Sequence, residues 1–351
     1  MSAHASIKDL AAHDSSTNTS LPSGWQRSDT PSVQTTAVPA CPVCDAEASS
    51  PYAQGYDYEL ETCRNHWKMV SCHDCSHVWL NPRPAVESLG TIYPSNYYAY
   101  NYDAQVSKLA IKAKQWIDRM KMSGIKKALP TPAKSFIDVG CGNGRLLHAL
   151  KESGVEQERC YGLELDEAVV QRLRDEGFPA FCERVEDCTQ VPEGSIDLAT
   201  MFHVIEHVDN PGAVVERIAG WLSEDGIFAM ETPNIESLDA RLGRRTFWGG
   251  YHFPRHWNLF TPASITQLLE RNGMEVIDIR YQSGHSFWIY GLHHRLRYGR
   301  PRLPWLAGLC NPFRNLPLLA LVTGFDRFRA MLGMKTSAML VIARKRKDAN
   351  P

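Results

Sequence analysis

The stretch Phe136-Ile-Asp-Val-Gly-Cys-Gly-Asn-Gly144 decides the fold of this chain of 351 residues. A short apolar run leads into a loop in which Gly140, Gly142 and Gly144 alternate with other residues, and the segment RLLHALKESG continues as a helix. Glycine is needed where a backbone turns tightly and lets a ligand lie against it. The stretch therefore predicts a buried strand, a tight ligand-binding turn and a helix.

Two acids accompany the glycine loop. Asp138 lies two residues before Gly140, and Glu164 ends the next strand-like run, 24 residues after Gly140. An acid at the second position reaches a ribose diol in nucleotide-binding α/β sheets. A dinucleotide site would have its third glycine where this chain has Arg145, so a diphosphate ligand is not favoured. The loop and its acids instead suit a ligand with a ribose and a cationic amino-acid end.

Strand-like and helix-like segments alternate from Ser135 onward. The strand-like runs are SFIDVG, CYGLEL, SIDLATM, GIFAMETPN, MEVIDIRYQ and TSAMLVIARK. The helix-like runs between them include EAVVQRLRDEG, DNPGAVVERIAGWLSEDG and TPASITQLLERNG, the last with a Thr cap and Pro at its first helical position. This alternation predicts an α/β protein with a doubly wound, mostly parallel sheet.

The runs DVGCGNGRLL, GLELDE, GSIDLATMFHVIEHVDNP and ETPN together resemble the class I S-adenosylmethionine-dependent methyltransferases, over about residues 135–345. The resemblance implies a Rossmann-like sheet of seven strands, with TSAMLVIARK as an antiparallel last strand. It also implies S-adenosylmethionine as cofactor. In this family the glycine loop packs against the methionine end of the cofactor, and the acid before it orients the loop or the bound amino group.

The resemblance assigns the other cofactor contacts residue by residue. Glu164 would bind the ribose hydroxyls and Leu165 would flank the adenine. The family often has an Asp before the residue that holds the adenine edge, but this chain has Arg184 there. The full set of expected cofactor residues is Asp138, Gly140, Gly142, Gly144, Glu164, Leu165, Val185, Glu186, Phe202, His203 and Tyr98.

Two Cys-x-x-Cys pairs, Cys41–Cys44 and Cys72–Cys75, precede the α/β region with 27 residues between them. Each such turn directs two thiolates at one centre, and two turns complete a tetrahedral zinc site. A redox pair or free thiols are the alternative, although no βαβ unit surrounds these cysteines. Four thiolates leave no open position, so we expect a structural zinc held by Cys41, Cys44, Cys72 and Cys75. Nearby residues that we rank lower as ligands are Cys63, His66, His73 and His77.

The stretch from CPVC through CHDCSHVWLNPRP to IYPSNYYAY resembles the zinc-ribbon leader of many bacterial methyltransferases of this class. Some of these act in sugar, polysaccharide and natural-product pathways. The resemblance implies that Tyr97, Tyr98 and Tyr100 form part of a lid over the cofactor, with aromatic packing between leader and core as the alternative. The expected units are a disordered leader at 1–38, a zinc ribbon at 39–82, a helical and aromatic linker and lid at 83–133, and a methyltransferase domain at 134–351 with a cap insertion at 285–335.

Histidines could supply the proton acceptor that methyl transfer requires. The loop WGGYHFPRHWNLF, residues 248–260, follows a strand of the sheet at the edge where such folds bind ligands. Free histidine titrates near neutrality, so His256 and His252, with Arg255 among aromatic residues, predict an acceptor pocket. We expect His256 to be the general base ahead of His252, with a structural hydrogen bond as the alternative for His256. His207 is a third candidate that more often packs or caps.

Composition and charge disfavour several classes of protein. The chain carries 38 Lys and Arg against 39 Asp and Glu, a formal charge of −1, which argues against a dedicated nucleic-acid binder. Its start, MSAHASIKDLAAHD, lacks the regions of a secretory signal, so we expect a reducing, cytoplasmic location without a disulfide framework. Three prolines and an arginine interrupt the apolar stretch 303–325, which predicts no transmembrane span. The cysteines without an expected role are Cys63, Cys160, Cys182, Cys188 and Cys310.

The insertion at 285–335 admits four interpretations: a cap that binds the acceptor, a homodimer face, a helix that contacts a membrane surface, or helices packed on the sheet. For the chain as a whole we predict methyl transfer from S-adenosylmethionine to a small-molecule or sugar-like acceptor in a biosynthetic pathway. One alternative is an RNA methyltransferase guided by the ribbon, which the acidic run CPVCDAEASSPYAQGYDYELE disfavours. The other is a non-catalytic module that binds S-adenosylmethionine. Oxygen, nitrogen and carbon all stay open as the methylated atom.

Overall fold

The structure is a computed structural model that describes residues 30–94, 108–310 and 315–346. Most of the expected leader at 1–38, and the lid candidates Tyr97, Tyr98 and Tyr100, lie outside these residues.

The described residues form thirteen strands and ten α-helices, besides short 3-10 turns. The strands are β1 (Thr35–Thr36), β2 (Ser49–Gly55), β3 (Trp67–Cys72), β4 (Val78–Leu80), β5 (Arg83–Pro84), β6 (Phe136–Val139), β7 (Cys160–Leu163), β8 (Ala180–Phe181), β9 (Ile196–Phe202), β10 (Leu222–Pro233), β11 (Asn258–Leu259), β12 (Met274–Gln282) and β13 (Ala338–Lys345). The helices are α1 (Leu89–Ile92), α2 (Lys108–Lys126), α3 (Arg145–Glu152), α4 (Glu167–Asp175), α5 (Pro211–Trp221), α6 (Leu238–Leu242), α7 (Pro262–Arg271), α8 (His285–Tyr298), α9 (Pro304–Ala307) and α10 (Leu316–Met331).

Seven strands form the central sheet, in the order β12-β13-β10-β9-β6-β7-β8. The pairings β10–β9, β9–β6, β6–β7 and β7–β8 are parallel, whereas β13 is antiparallel to both β10 and β12. This sheet confirms the predicted Rossmann-like α/β fold with an antiparallel last strand. The reversal lets β13 enter between two strands that the chain has already laid down.

Helices cover both faces of the sheet because the central strands are apolar on both sides. All four residues of β6 are buried. Ile137 and Val139 belong to one apolar cluster, with Val215 of α5 and Leu268 of α7. Phe136 points to the opposite cluster, with the buried leucines of α3. A parallel strand that is buried on both faces has a nearly continuous apolar sequence, as β6 does.

A second sheet joins the N-terminal segment to the rest of the chain. Its order is β11-β4-β3-β2, and all three pairings are antiparallel. β11 comes from the loop between β10 and α7, and it pairs Asn258 with Trp79 and Leu259 with Val78. Residues 39–82, called here the ribbon segment, and the predicted acceptor loop at 248–260 therefore share one sheet.

The structure differs from the sequence prediction at several element ends. The helix expected over 209–226 ends at Trp221, because the following residues already belong to β10. His207 lies on a 3-10 turn, Ile205–His207, rather than along an α-helix. Among the residues that the structure describes, no helix is long and apolar enough to cross a membrane.

Candidate active site and cofactor site

The glycine loop lies at the carboxyl end of β6, and its three glycines have left-handed backbones. The φ angles of Gly140, Gly142 and Gly144 are 71°, 51° and 76°. A Cβ on Gly140 would lie 2.4 Å from Cγ2 of Val204, and one on Gly144 would lie 2.4 Å from Cδ2 of Leu173. A Cβ on Gly142 would meet nothing within 4 Å. Two glycines thus permit close packing, while the middle one borders open space in which a ligand fits.

Glu164 is fixed beside this loop by two backbone amides. Its Oε2 accepts a hydrogen bond from the Gly142 amide at 3.0 Å, and its Oε1 accepts one from the Leu165 amide at 2.8 Å. Each carboxylate oxygen retains a further acceptor site, as binding a ribose diol requires. The neighbouring Leu165 is 66% exposed, which is unusual for a leucine. An adenine ring bound at this position would cover it.

Asp138 is buried on β6 and accepts a hydrogen bond from Oγ1 of Thr200 at 2.6 Å. Burial raises the pKa of Asp138 to about 7, with a further contribution from the charge of Glu164, although the Thr200 hydrogen bond opposes the shift. Strand β9 therefore anchors this acid directly under the loop. Its position fits the loop-orienting role expected for it.

The expected adenine contact lies on the 3-10 turn Val185–Asp187. Val185 is buried, whereas Glu186 accepts a hydrogen bond from Nε of Arg184 at 3.0 Å. Arg184 also pairs with Asp209. Arg184, which departs from the family pattern, is thus paired with two acids. Val185 is the apolar residue at the expected adenine contact.

His203 follows the end of β9, and two carboxylates hold its ring. Its Nδ1 lies 3.2 Å from Oε1 of Glu206, and its Nε2 lies 3.4 Å from Oε1 of Glu231. Burial alone would lower the pKa of His203, but these two acids raise it to about 9. Lys121 pairs with Glu231 as well. The raised pKa favours the imidazolium form of His203 at neutral pH, and nearly half of its side chain is exposed.

Three histidines form a cluster behind His203. The ring centroids of His207 and His256 are 4.8 Å apart, those of His252 and His256 are 5.0 Å apart, and those of His207 and His252 are 6.5 Å apart. The ring of Phe287 lies 6.5 Å from both His203 and His256. The structure thus brings together all three histidines that the sequence singled out.

Two histidines of the cluster use Nδ1 to hold a backbone carbonyl. Nδ1 of His256 lies 2.7 Å from the Gly250 carbonyl oxygen, and Nδ1 of His207 lies 3.0 Å from the Arg255 carbonyl oxygen. A carbonyl accepts only, so Nδ1 of His256 carries the proton and Nε2 is the basic atom of that ring. Nδ1 of His207 also lies 3.0 Å from the hydroxyl oxygen of Tyr93. Burial lowers the pKa of His207 to about 4, and burial with the neighbouring histidines lowers the pKa of His256 well below its ordinary value. Both rings are therefore neutral.

The third histidine, His252, is held by a carboxylate from the ribbon segment. Its Nδ1 lies 2.5 Å from Oε2 of Glu59, in the connection between β2 and β3, and the Glu59 side chain is only 7% exposed. Burial alone would raise the pKa of Glu59, but His252 holds it below its ordinary value. His252 itself has a φ of 38°, a strained backbone of the kind found at functional sites. No local pattern marks Glu59 among the acids of YDYELE as the partner of a histidine 193 residues away, so the sequence does not reveal this contact.

Arg255 does not belong to an acceptor pocket, which corrects the sequence prediction. Its side chain is completely buried, and its two terminal nitrogens each lie 3.0 Å from an oxygen of the equally buried Asp57. Nε donates to the carbonyl of Ile92 at 2.8 Å. Arg255 instead fixes the histidine loop to the ribbon segment.

The four cysteines of the two Cys-x-x-Cys pairs meet at one centre. Sγ of Cys41 lies 3.5 Å from Sγ of Cys75, and Sγ of Cys44 lies 3.5 Å from Sγ of Cys72. All four sulfurs lie within 4.8 Å of one another. A tetrahedral zinc ion with bonds of about 2.3 Å needs sulfurs about 3.8 Å apart, so the thiol set fits zinc. The residues ranked lower as ligands lie outside this group: Cys63, His66, His73 and His77.

A second group with metal-binding chemistry lies within the histidine cluster. Ligand atoms of Glu206, His207 and His256 lie within 4.8 Å of one another. Both oxygens of Glu206 are already engaged, one by His203 and the other by Oγ1 of Thr232 at 3.1 Å. Glu206 in this group is therefore held in place by two side-chain hydrogen bonds.

The double variant Cys41→Ser, Cys75→Ser tests the cysteine site. A hydroxyl is a poor zinc ligand at neutral pH, so metal content is expected to fall from about one zinc per chain to near zero. Elemental analysis of purified protein measures this directly. Cys182→Ser is the matched control, because this partly buried thiol lies outside the group and the variant should keep its zinc. Full zinc content in the double variant would contradict the assignment.

A seven-stranded Rossmann-like sheet with an antiparallel last strand, a glycine loop after its first strand and an acid after its second strand is the arrangement of the class I S-adenosylmethionine-dependent methyltransferases. Residues 107–279 match the family model described as a methyltransferase domain, so this segment of the chain is a methyltransferase domain.

Individual relatives are distant. The ubiquinone biosynthesis O-methyltransferase of Neisseria meningitidis serogroup C is 24% identical over 216 residues, which is 53% of this chain and 88% of that protein. The enzyme of the same name from Xanthomonas campestris is 25% identical over 179 residues, 44% of this chain and 67% of that protein. A solved S-adenosylmethionine-dependent methyltransferase from Archaeoglobus fulgidus has a TM-score of 0.45 and 16% identity, covering 71% of this chain and 99% of that one.

Proposed function

We propose that this chain transfers the methyl group of S-adenosylmethionine to a hydroxyl group of a small-molecule or sugar-like acceptor in a biosynthetic pathway. The observation that carries the proposal is the contact between Glu59 and His252, next to two neutral histidines. A hydroxyl is a weak nucleophile that must lose its proton as it is methylated, so it requires a positioned base. The names of the two O-methyltransferase relatives support the same choice of acceptor atom.

The cofactor would supply a methyl group that its sulfonium already activates, so the chain mainly binds and orients. The open side of Gly142 would accommodate the methionine end, and Glu164 would hold the ribose hydroxyls. Leu165 and Val185 would enclose the adenine. The imidazolium of His203 would lie between cofactor and acceptor, where its position is fixed by Glu206 and Glu231.

His252 would act as the general base, ahead of His256, which reverses the order expected from the sequence. Glu59 orients the Nδ1 proton of His252, so that Nε2 accepts the proton of the acceptor hydroxyl. The carboxylate also stabilises the imidazolium that forms, whereas Nδ1 of His256 and Nδ1 of His207 each contact a backbone carbonyl oxygen. Those two rings would orient the acceptor through Nε2.

The direct test is to incubate the purified protein with methyl-labelled S-adenosylmethionine and separate panels of catechols, sugar nucleotides and glycosides. We expect a labelled methyl ether from one panel, identified by mass spectrometry. Labelled total RNA in place of a small molecule would favour the ribbon-guided RNA methyltransferase. Cofactor binding without turnover in any panel or in cell extract would favour the non-catalytic module.

Glu164→Ala is expected to weaken cofactor binding by about 10–100-fold. The variant removes two hydrogen bonds to a charged acceptor, each typically worth about 1.5–3 kcal/mol, of which part is regained from water. Isothermal titration with S-adenosylmethionine or its demethylated product measures the change. Glu167→Ala, three residues on and exposed, is the control and should bind normally. An unchanged dissociation constant for Glu164→Ala would remove this residue from the site.

A further inference from the structure

Within the described part of the chain, several large apolar side chains on α10 and in and after α9 are exposed. On α10, Leu321, Phe325 and Phe328 recur at helical spacing and are 70%, 45% and 58% exposed, and Met331 is 78% exposed. Asn315 at the start of α10 donates to the carbonyl of Leu309, which connects this helix to the end of α9. The exposed apolar side chains on the two helices, called here the apolar face, are Trp305, Leu309, Leu321, Phe325, Phe328 and Met331.

The same segment carries a net positive charge. Residues 284–335 contain eight Lys or Arg and one acid, Asp326, a formal charge of +7 in a chain whose total is −1. Asp326 is buried and pairs with Arg329, so it does not offset the surface charge. Arg295, Arg300 and Arg302 are exposed near α9, and Arg327 is exposed on α10. The rest of the chain is acidic.

We propose that the apolar face docks on the surface of an anionic lipid bilayer, with α10 lying in the plane of the interface. An exposed apolar stripe with arginines around it is the pattern by which amphipathic helices enter the headgroup region. Arginines near an anionic leaflet add attraction, and tryptophan favours the boundary between headgroups and acyl chains. No helix in the described part of the chain can span the bilayer, so the contact is peripheral.

Charge also separates the bilayer from other occupants of this surface. A second copy docked through the same face would bring two segments of +7 together, which like-charge repulsion opposes. RNA would satisfy the arginines, but it would leave Leu321, Phe328 and Met331 without an apolar partner. An anionic bilayer satisfies both the charge and the apolar side chains.

Vesicle flotation at low ionic strength tests the proposal with the full chain. We expect the protein to float with phosphatidylglycerol-containing vesicles, not with pure phosphatidylcholine vesicles, and to be released by salt. Arg300→Gln with Arg302→Gln should reduce binding by about 10–30-fold, and Phe328→Ser with Met331→Ser by about tenfold or more. Val86→Ser with Leu242→Ser is the matched control, since both residues are exposed apolar positions on elements other than α9 and α10. Normal binding of S-adenosylmethionine verifies that each variant is folded.

Three results would overturn the proposal. The first is absence of flotation, or flotation that the face variants and the control pair affect equally. The second is a dimer in light scattering that Phe328→Ser with Met331→Ser dissociates, without vesicle binding, which would assign the face to a second copy. The third is retention on RNA that the arginine variant abolishes, again without vesicle binding. None of these readouts depends on the proposed methyl transfer, so the two proposals stand or fall separately.

Discussion

His252→Ala should lower kcat by about 10²–10⁴-fold and leave the dissociation constant for S-adenosylmethionine within about twofold, because positioned acid–base groups contribute this much. The proposed cofactor residues Gly142 and Glu164 lie on other elements of the fold, just after β6 and β7. Single-turnover rates with saturating cofactor, together with titration of cofactor binding, measure the two quantities on the same preparations.

The partner variant Glu59→Gln distinguishes a base held by a carboxylate from a histidine that merely packs. An amide can still accept a hydrogen bond from Nδ1, but it does not stabilise the imidazolium, so we expect a loss of about 10²–10³-fold in kcat. Glu59→Asp should recover part of the activity. His148→Ala, at a half-exposed position on α3, is the control and should be fully active. If His256→Ala lost more activity than His252→Ala, the order of the two histidines would revert to that expected from the sequence.

Arg255→Met should destabilise the protein by about 3–5 kcal/mol. The substitution leaves the carboxylate of Asp57 buried without its counter-charge, and an uncompensated buried charge has this order of cost. Replacing both partners, with Asp57→Leu added to Arg255→Met, should be less destabilising than either single change, because no buried charge remains. Urea unfolding followed by tryptophan fluorescence measures the difference in the free energy of unfolding.

The pH dependence of this difference follows from the pKa of Asp57. Burial alone would raise that pKa, but Arg255 and Thr62 hold it below its ordinary value. A carboxyl with a lowered pKa stabilises the fold above its unfolded-state pKa, near 4, and this stabilisation is lost as the pH falls through the lowered value. The gap between wild type and Arg255→Met should therefore narrow below about pH 4. Arg344→Met is the control: its pair with Glu275 is half-exposed, so it should lose less than about 1 kcal/mol.

Local patterns in the sequence are sufficient for the central sheet and the cofactor loop. Glycines with left-handed backbones, buried apolar strands and the acid at Glu164 lie within short stretches, and the structure has them as predicted. The four cysteines are equally readable, because each pair is a local turn.

Contacts between distant parts of the chain could not be predicted from the sequence. β11 has only two residues, so its pairing with β4 carries no periodicity. The partner of Arg255 lies 198 residues away, and the pattern around Arg255 suggested solvent-facing chemistry rather than burial. Glu59 was missed for the same reason. These contacts depend on how the ribbon segment docks, which no single stretch encodes.

The sheet that β11 shares with β4 would make the proposed reaction depend on the proposed zinc ion, which takes no part in the reaction. The cysteine centre holds the ends of β2 and β3, and the connection between those strands carries Glu59 and Asp57. Removing the ion with a chelator would therefore displace the carboxylate of Glu59 from His252 and abolish turnover, although the cofactor would still bind. Any ion that restored the ribbon would restore turnover, whatever its own Lewis acidity. The proposed reaction would therefore occur only in a chain in which the cysteine centre is assembled and β4 is paired with β11.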